Sequence, residues 1–169
     1  MLKIINNLRP FFEDCYRRIN VREYAKIIHV SPPTASKILV SYNAENLLLK
    51  EEYRNYLLFY ANNRSKQFID LSRIYWSYKL KEVVALMEKK LINPAIILFG
   101  SLSKAEVKPD SDVDLAVFAN KKELNIGDFE RKIKRKIKIF WFRSLKDLKS
   151  KELANNIING CVLHGRLLL

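Results

Sequence analysis

Glycine is scarce in this chain. Only four of 169 residues are glycine, at positions 100, 127, 160 and 165, and none precedes residue 100. Glycine takes left-handed backbone without steric cost, so a first half that lacks it holds few tight hairpins and reads as mostly helical. Cysteine is scarcer still, with Cys15 and Cys161 far apart and no CxxC spacing. This excludes a disulfide scaffold and a thiolate zinc site; both thiols are expected to be reduced and buried, in a cytoplasmic protein. No run reaches the ~18 consecutive apolar residues of a membrane-spanning helix. The first twenty residues carry neither a long apolar block nor a small-residue cleavage site, so no membrane association and no signal peptide are expected. Acid is in deficit: 31 Lys and Arg stand against 18 Asp and Glu, a net charge of +13. Residues 1–90 hold 16 basic and nine acidic side chains and residues 91–169 hold 15 and nine, so both halves are basic. Such a surface favours polyanions. A second reading, in which charge serves thermal stability or solubility, stays open.

What is present begins with an apolar fraction of 49%, enough for a packed core and too high for a disordered chain. The length fits one ordinary domain or two small ones. Apolar spacing predicts helices over 8–18, with Leu8, Phe11, Phe12, Cys15 and Ile19 on one side, and over 21–29. Ser31 followed by Pro32 is a helix start, and a third helix is expected over 32–43. Two short strands, 47–52 and 55–61, are expected around a turn at Tyr53 and Arg54. From 21 to 40 the spacing matches a helix-turn-helix: Ala25 at a close helix crossing, Ile28 and Val30 buried around the turn, Ala35 and Ile38 anchoring the second helix. That helix leaves Thr34, Ser36, Lys37 and Ser41 outward, short polar and basic groups suited to phosphates or base edges, with Arg54 and Arg64 adding charge nearby. With its hairpin, the segment 1–63 resembles a winged-helix domain, which implies DNA binding through these residues. A small helical module that only dimerises is the alternative.

A connecting helix is expected over 64–92, its core 65–91 carrying Phe68, Leu71, Ile74, Tyr75, Tyr78, Val83 and Leu86 on its apolar side. Asn93 and Pro94 end it. The third segment, 93–169, alternates strands at 95–99, 113–118 and 137–143 with a basic helix at 128–136 and a final helix at 144–159, then Gly160 and an apolar tail. Strand 95–99 runs directly into Gly100 and Ser101. Glycine there lets the backbone approach a ligand closely, and a serine opening a helix offers its hydroxyl and free N–H groups to a phosphate. Asp112 and Asp114 stand two apart on a strand and so face one way. Two such carboxylates repel unless a cation such as Mg²⁺ lies between them.

Gly100-Ser101, about ten residues, then Asp112-Val113-Asp114 resembles the signature of polymerase-beta-like nucleotidyltransferases, over about residues 80–165. The resemblance implies an α+β protein of two small domains: an N-terminal winged helix-turn-helix and a C-terminal nucleotidyltransferase fold, a mixed sheet flanked by helices. It implies an NTP as substrate, its phosphates near Gly100 and Ser101, Mg²⁺ on Asp112 and Asp114 as catalytic and metal-binding residues, and transfer of a nucleoside monophosphate to an acceptor. There is one departure. Active members usually carry a third carboxylate on the next strand, and here Lys138 falls about where it belongs. Lysine repels Mg²⁺ at close range and accepts no proton while charged. Asp128, Glu130 and Asp147 are the candidate substitutes, and Asp110 is expected in the turn begun by Pro109.

Two functions follow. One is a Mg²⁺-dependent transferase. The other is a DNA-binding regulator, or an antitoxin-like protein with a helical protein partner, whose nucleotidyltransferase domain is inactive. Residues 131–138 hold six basic side chains in eight, either a phosphate track or a solvated helix face. Trp141 and Phe142 are expected in a core or a dimer contact, and His164-Gly165 in a chain turn. Pairing of two copies through the long helix would make a homodimer.

Overall fold

A computed structural model describes residues 2–167. The chain forms two compact units, one of Met1–Tyr75 with Ala105–Pro109, the other of Trp76–Lys104 with Asp110–Leu169. The fold is α+β, with helices and a three-stranded antiparallel sheet first and a four-stranded mixed sheet second.

In the first unit, α1 spans Lys3–Glu13, a turn and more N-terminal to the expected helix. The helix stops where Asp14 turns to extended backbone and its carboxylate accepts the Tyr16 N–H at 3.0 Å, the side-chain-closed turn that aspartate favours. Leu8, Phe11 and Phe12 are buried on α1, while Cys15 and Ile19 are buried beyond its end. The two-residue strand β1 (Ile19–Asn20) leads into α2 (Val21–Ile28), whose N-terminus is capped by the Asn20 side chain accepting from the Glu23 N–H at 2.9 Å. Helix α3 (Pro32–Ala44) opens as expected, with Ser31 accepting from the Thr34 N–H and proline in first position. Ala25 and Ala35 are buried, but Ile28, Val30 and Ile38 are only half-buried, and Leu39 is the fully buried anchor of α3.

Strands β2 (Leu48–Tyr53) and β3 (Tyr56–Ala61) pair in register, joined by Arg54 and Asn55, both with positive φ (46° and 63°). Two left-handed residues in a two-residue loop match the strands' twist, so the turn lies one residue later than expected. The sheet order is β1-β3-β2. Phe12 packs against Phe68 and Tyr75 at 5.1 and 5.4 Å between ring centres, and the Tyr75 hydroxyl donates to Glu13. The Cys15 N–H donates to Val107 O at 2.8 Å, tying residues 105–109 to this unit.

Helix α4 (Lys66–Lys90) contributes residues up to Tyr75 to the first unit and from Trp76 to the second. Its buried stripe is Phe68, Ser72, Tyr75, Trp76, Leu80, Val83 and Met87. Ile74 and Tyr78, expected inside, are 53% and 46% exposed. Ser72, a small polar residue, lies fully buried on this line at helical spacing, so large apolar groups alone do not mark the stripe.

In the second unit, β4 (Ala95–Phe99) is a continuous apolar run, β5 (Val113–Phe118) is apolar except for Asp114, and the two form the central strands. The sheet order is β6-β5-β4-β7, with β6 at Ile137–Phe142 and β7 at Cys161–His164. β5 runs antiparallel to β4 and parallel to β6. A one-turn helix α5 (Ser101–Lys104) follows β4, α6 (Gly127–Ile133) precedes β6, and α7 (Lys151–Ile158) precedes β7. One face of the sheet buries Ala95, Ile97, Phe99, Ala116 and Phe118 against Ile157, with Phe140 and Phe142 packed beside them.

Three expectations change here. The basic helix ends at Ile133, because Lys134 takes φ 56° and its N–H returns to Glu130 O. The final helix is broken: Ser144 and Asp147 form a capping box around the short turn Leu145–Asp147, and Ser150 then caps α7 afresh. The start of the apolar tail is strand β7. Cys15 is buried, Cys161 is half-buried, and no disulfide joins them.

Candidate functional site

Gly100 stands directly after β4 with φ +71°, a conformation that side chains rarely adopt. A Cβ added there would lie 2.6 Å from Asp114 Oδ2, so backbone and carboxylate are packed together. Ser101, half-buried, opens α5, and the buried Ser103 hydroxyl closes the turn by donating to Gly100 O at 2.9 Å. Asp114 is the second residue of β5, paired across β4 with Phe99, while Asp112 sits one residue before the strand begins. Both carboxylates are half-buried. The structure thus brings Gly100, Ser101, Asp112 and Asp114 to one end of β4 and β5.

On the other side of β5 the parallel register sets Lys138 opposite Asp114. Its ammonium reaches across to Asp112 Oδ2 at 2.6 Å, with side chains 59% and 31% exposed. Arg135, unremarked in the sequence, anchors the residue before Asp112. It donates to Ser111 O at 2.7 Å, and its guanidinium lies 5.1 Å over the ring of Trp76. The Val113 N–H donates to Lys136 O at 2.8 Å. Ser111, Asp112 and Val113 are therefore fixed from the β6 side at two points.

Burial, more than anything else, pushes the Asp114 carboxyl above the ordinary aspartate range; the Lys138 charge works against this and the Asp112 charge adds to it. The hydrogen bond to Asp112 and its charge hold the Lys138 ammonium above the ordinary lysine value. A raised native Asp114 value means that the native state binds more protons than the unfolded chain just above the unfolded value of 3.8. Stability contributed by this group therefore falls as pH rises through that window. Asp114→Asn is expected to remove the loss, so its urea midpoint should exceed wild type at about pH 6 and converge with it near about pH 4. Equal midpoints at the higher pH would show that Asp114 carries no desolvation cost.

None of the candidate substitutes for a third acid joins the pair. Asp128 is bound by Arg131. Glu130 accepts the Ile137 N–H at 2.8 Å. Asp147 accepts the N–H groups of Arg143 and Ser144, which hold its carboxyl below the usual range. Asp110 is exposed in the turn after Pro109, as expected. Among the described residues no three His, Cys, Asp or Glu side chains cluster as a metal site would require.

The basic run 131–138 is not one helix face. Arg131 binds Asp128, Lys132 reaches Glu82 at 2.6 Å, Lys136 lies 3.9 Å from Glu130, and Arg135 and Lys138 are engaged as described. Phe142 packs on Phe118 in the core, Trp141 is half-buried on β6, and His164 ends β7 with Gly165 turning at φ +70°.

Residues 79–167 match the family described as Polymerase beta, Nucleotidyltransferase. The match covers more than half of the chain. The chain belongs to this family. No curated protein and no solved structure matches it. Nucleotidyltransferases of this family typically use Mg²⁺ and a nucleoside triphosphate. Here two carboxylates, one already bonded to a resident ammonium, do not fit a centre of two Mg²⁺ ions. No helix of the described residues is long and apolar enough to cross a membrane.

The sequence-predicted DNA contacts fall in the first unit. Thr34, Lys37 and Ser41 are exposed on one face of α3 and, with Lys3, Asn7 and Tyr42, line an open cleft of about 480 Å³. Thr34 is engaged with the Ser31 hydroxyl at 2.9 Å, and Ser41 donates to Glu45 at 3.2 Å. Ser36 is half-buried and lies outside the cleft. Arg54 is exposed at the β2–β3 turn, 5.2 Å over the Tyr53 ring.

Proposed function

We propose that this protein is a DNA-binding regulator whose nucleotidyltransferase domain binds a nucleoside triphosphate at Gly100, Ser101, Asp112 and Asp114 without completing the transfer. One observation carries the reading: the Lys138 ammonium lies 2.6 Å from Asp112 where a third carboxylate would be needed. A charged lysine takes no proton from an acceptor hydroxyl and adds positive charge where a second cation would have to sit. Retention of the Gly100–Asp114 contact favours nucleotide binding over a relict fold.

The same contact supports the second reading, a Mg²⁺-dependent transferase that passes a nucleoside monophosphate to an acceptor. Calorimetry with ATP, CTP, GTP and UTP on wild type and Asp112→Ala/Asp114→Ala, paired with α-labelled nucleotide to follow transfer, separates the two. Nucleotide binding that the double variant alters, with no label transferred to protein or nucleic acid, is the expected result. Transfer of label would make the protein an enzyme, and absence of binding would remove nucleotide from its function.

For the N-terminal segment 1–63 the order α1-β1-α2-α3-β2-β3 supports a winged helix, with α3 as the DNA-reading helix and the Arg54 turn as the wing. Lys37 and Arg54 are proposed to contact phosphates, and Thr34, Ser36 and Ser41 to lie along the groove. Lys37→Ala and Arg54→Ala should each weaken duplex binding and reduce its salt slope by about one. A slope unchanged in both variants, measured by fluorescence anisotropy, would remove these residues from the interface.

A further inference from the structure

Lys138 is badly placed for a catalytic acid's neighbour and well placed for a different task. It is registered beside Asp114 and bonded to Asp112, so one ammonium serves both carboxylates. Its side chain is 59% exposed, so solvent and solutes reach it beside Asp112. An ammonium has three N–H donors, and Asp112 takes one. Gly100 and Ser101, which present backbone and hydroxyl at the end of β4, lie on the opposite side of Asp114 from Lys138. A phosphate chain placed against Ser101 therefore has a fixed positive charge within the same small group of residues.

We infer that Lys138 is a built-in counter-cation, its ammonium replacing at Asp112 the divalent ion a third carboxylate would help to hold, so that this site takes a metal-free nucleoside triphosphate. The inference rests on the nucleotide-binding reading above and specifies its ligand. With a third acid, the site would hold three negative charges and need divalent cations to admit a polyphosphate. With lysine, the charges of Lys138, Asp112 and Asp114 sum to one negative charge in place of three. The ligand is then selected as a free polyanion rather than as its Mg²⁺ complex, and a divalent ion approaching Asp112 meets an ammonium already seated there.

Two titrations on the full chain test this. Calorimetry with ATP in EDTA and in Mg²⁺ should give wild-type affinities within about threefold of each other. Lys138→Glu should bind ATP at least about tenfold more tightly in Mg²⁺ than in EDTA. Lys138→Gln, which removes the charge without adding an acid, should lose the EDTA-tolerant binding. The second titration uses Mn²⁺ alone, followed by electron paramagnetic resonance: wild type should show no bound ion, and Lys138→Glu should gain one. Lys138 is exposed, so both variants should fold, and circular dichroism checks that they do. Wild-type binding that requires Mg²⁺, or Mn²⁺ bound equally by wild type and Lys138→Glu, overturns the counter-cation. Absence of ATP binding in every condition overturns the nucleotide reading and with it the metal-free ligand, whereas the Mn²⁺ titration fails or succeeds independently of nucleotide.

Discussion

Gly100→Ala is expected to destabilise the protein and to remove nucleotide binding together. Two penalties meet at one atom. The backbone is at φ +71°, where an L side chain costs about 1–2 kcal/mol. The new methyl would also lie 2.6 Å from Asp114 Oδ2, and overpacking of this kind costs roughly 1–3 kcal/mol when neighbours must move. The carboxylate is what must yield, and it is hemmed in by the Phe99 and Lys138 pairings on either side of β5. A combined loss of about 2–5 kcal/mol is expected in urea denaturation. Asp114 would leave its place, and ATP affinity would fall with it. Gly127→Ala is the matched comparison: nothing lies within 4 Å of its added Cβ, so its stability should stay within about 0.5 kcal/mol of wild type. A Gly100→Ala protein as stable as Gly127→Ala would mean that the Gly100–Asp114 contact does not organise the site.

The contrast between these glycines explains what was legible in the sequence. Gly100 announced itself because it ends a short, β-branched apolar run of the kind that a buried strand such as β4 presents. The strand over 113–118 was equally plain and carries Asp114, while Asp112 lies one residue before it. The amphipathic helix was harder. Its length was readable, but Ser72 lies on its buried stripe, and periodicity judged from large apolar groups alone turned the helix toward Ile74 and Tyr78. Turns set by side chains, such as the Asp14 stop of α1 and the Ser144–Asp147 capping box, depend on local hydrogen bonds that apolar patterning does not encode.

In the site, residue types were legible and partnerships were not. Lys138 could be placed near the missing acid by counting along the strand, but its bond to Asp112, from a position registered beside Asp114, needs the parallel pairing of β5 with β6. Arg135 was hidden in a run of six basic residues that looked like a uniform charged face. Its partners are a backbone carbonyl and an aromatic ring on a distant helix, and neither leaves a mark in local sequence.

That distant ring yields the last strong prediction. Trp76 is 1% exposed and among the largest fully buried side chains of the protein. Trp76→Ala is expected to cost about 3–5 kcal/mol, the usual range for deleting a buried aromatic group. It also withdraws the surface on which the Arg135 guanidinium rests, a contact typically worth about 0.5–2 kcal/mol. Arg135 would then hold Ser111 O less firmly, and Asp112 is the next residue. Packing and site are separable by three variants. Trp76→Phe keeps a ring under the guanidinium and should lose stability while ATP affinity stays within about threefold. Arg135→Ala should lose little stability, because Arg135 is only half-buried, and should weaken ATP about tenfold. Trp76→Ala should show both losses. If Arg135→Ala bound ATP like wild type, the Ser111–Asp112 segment would be held by the Val113–Lys136 backbone bond and β5 pairing alone, and Trp76 would matter only as core.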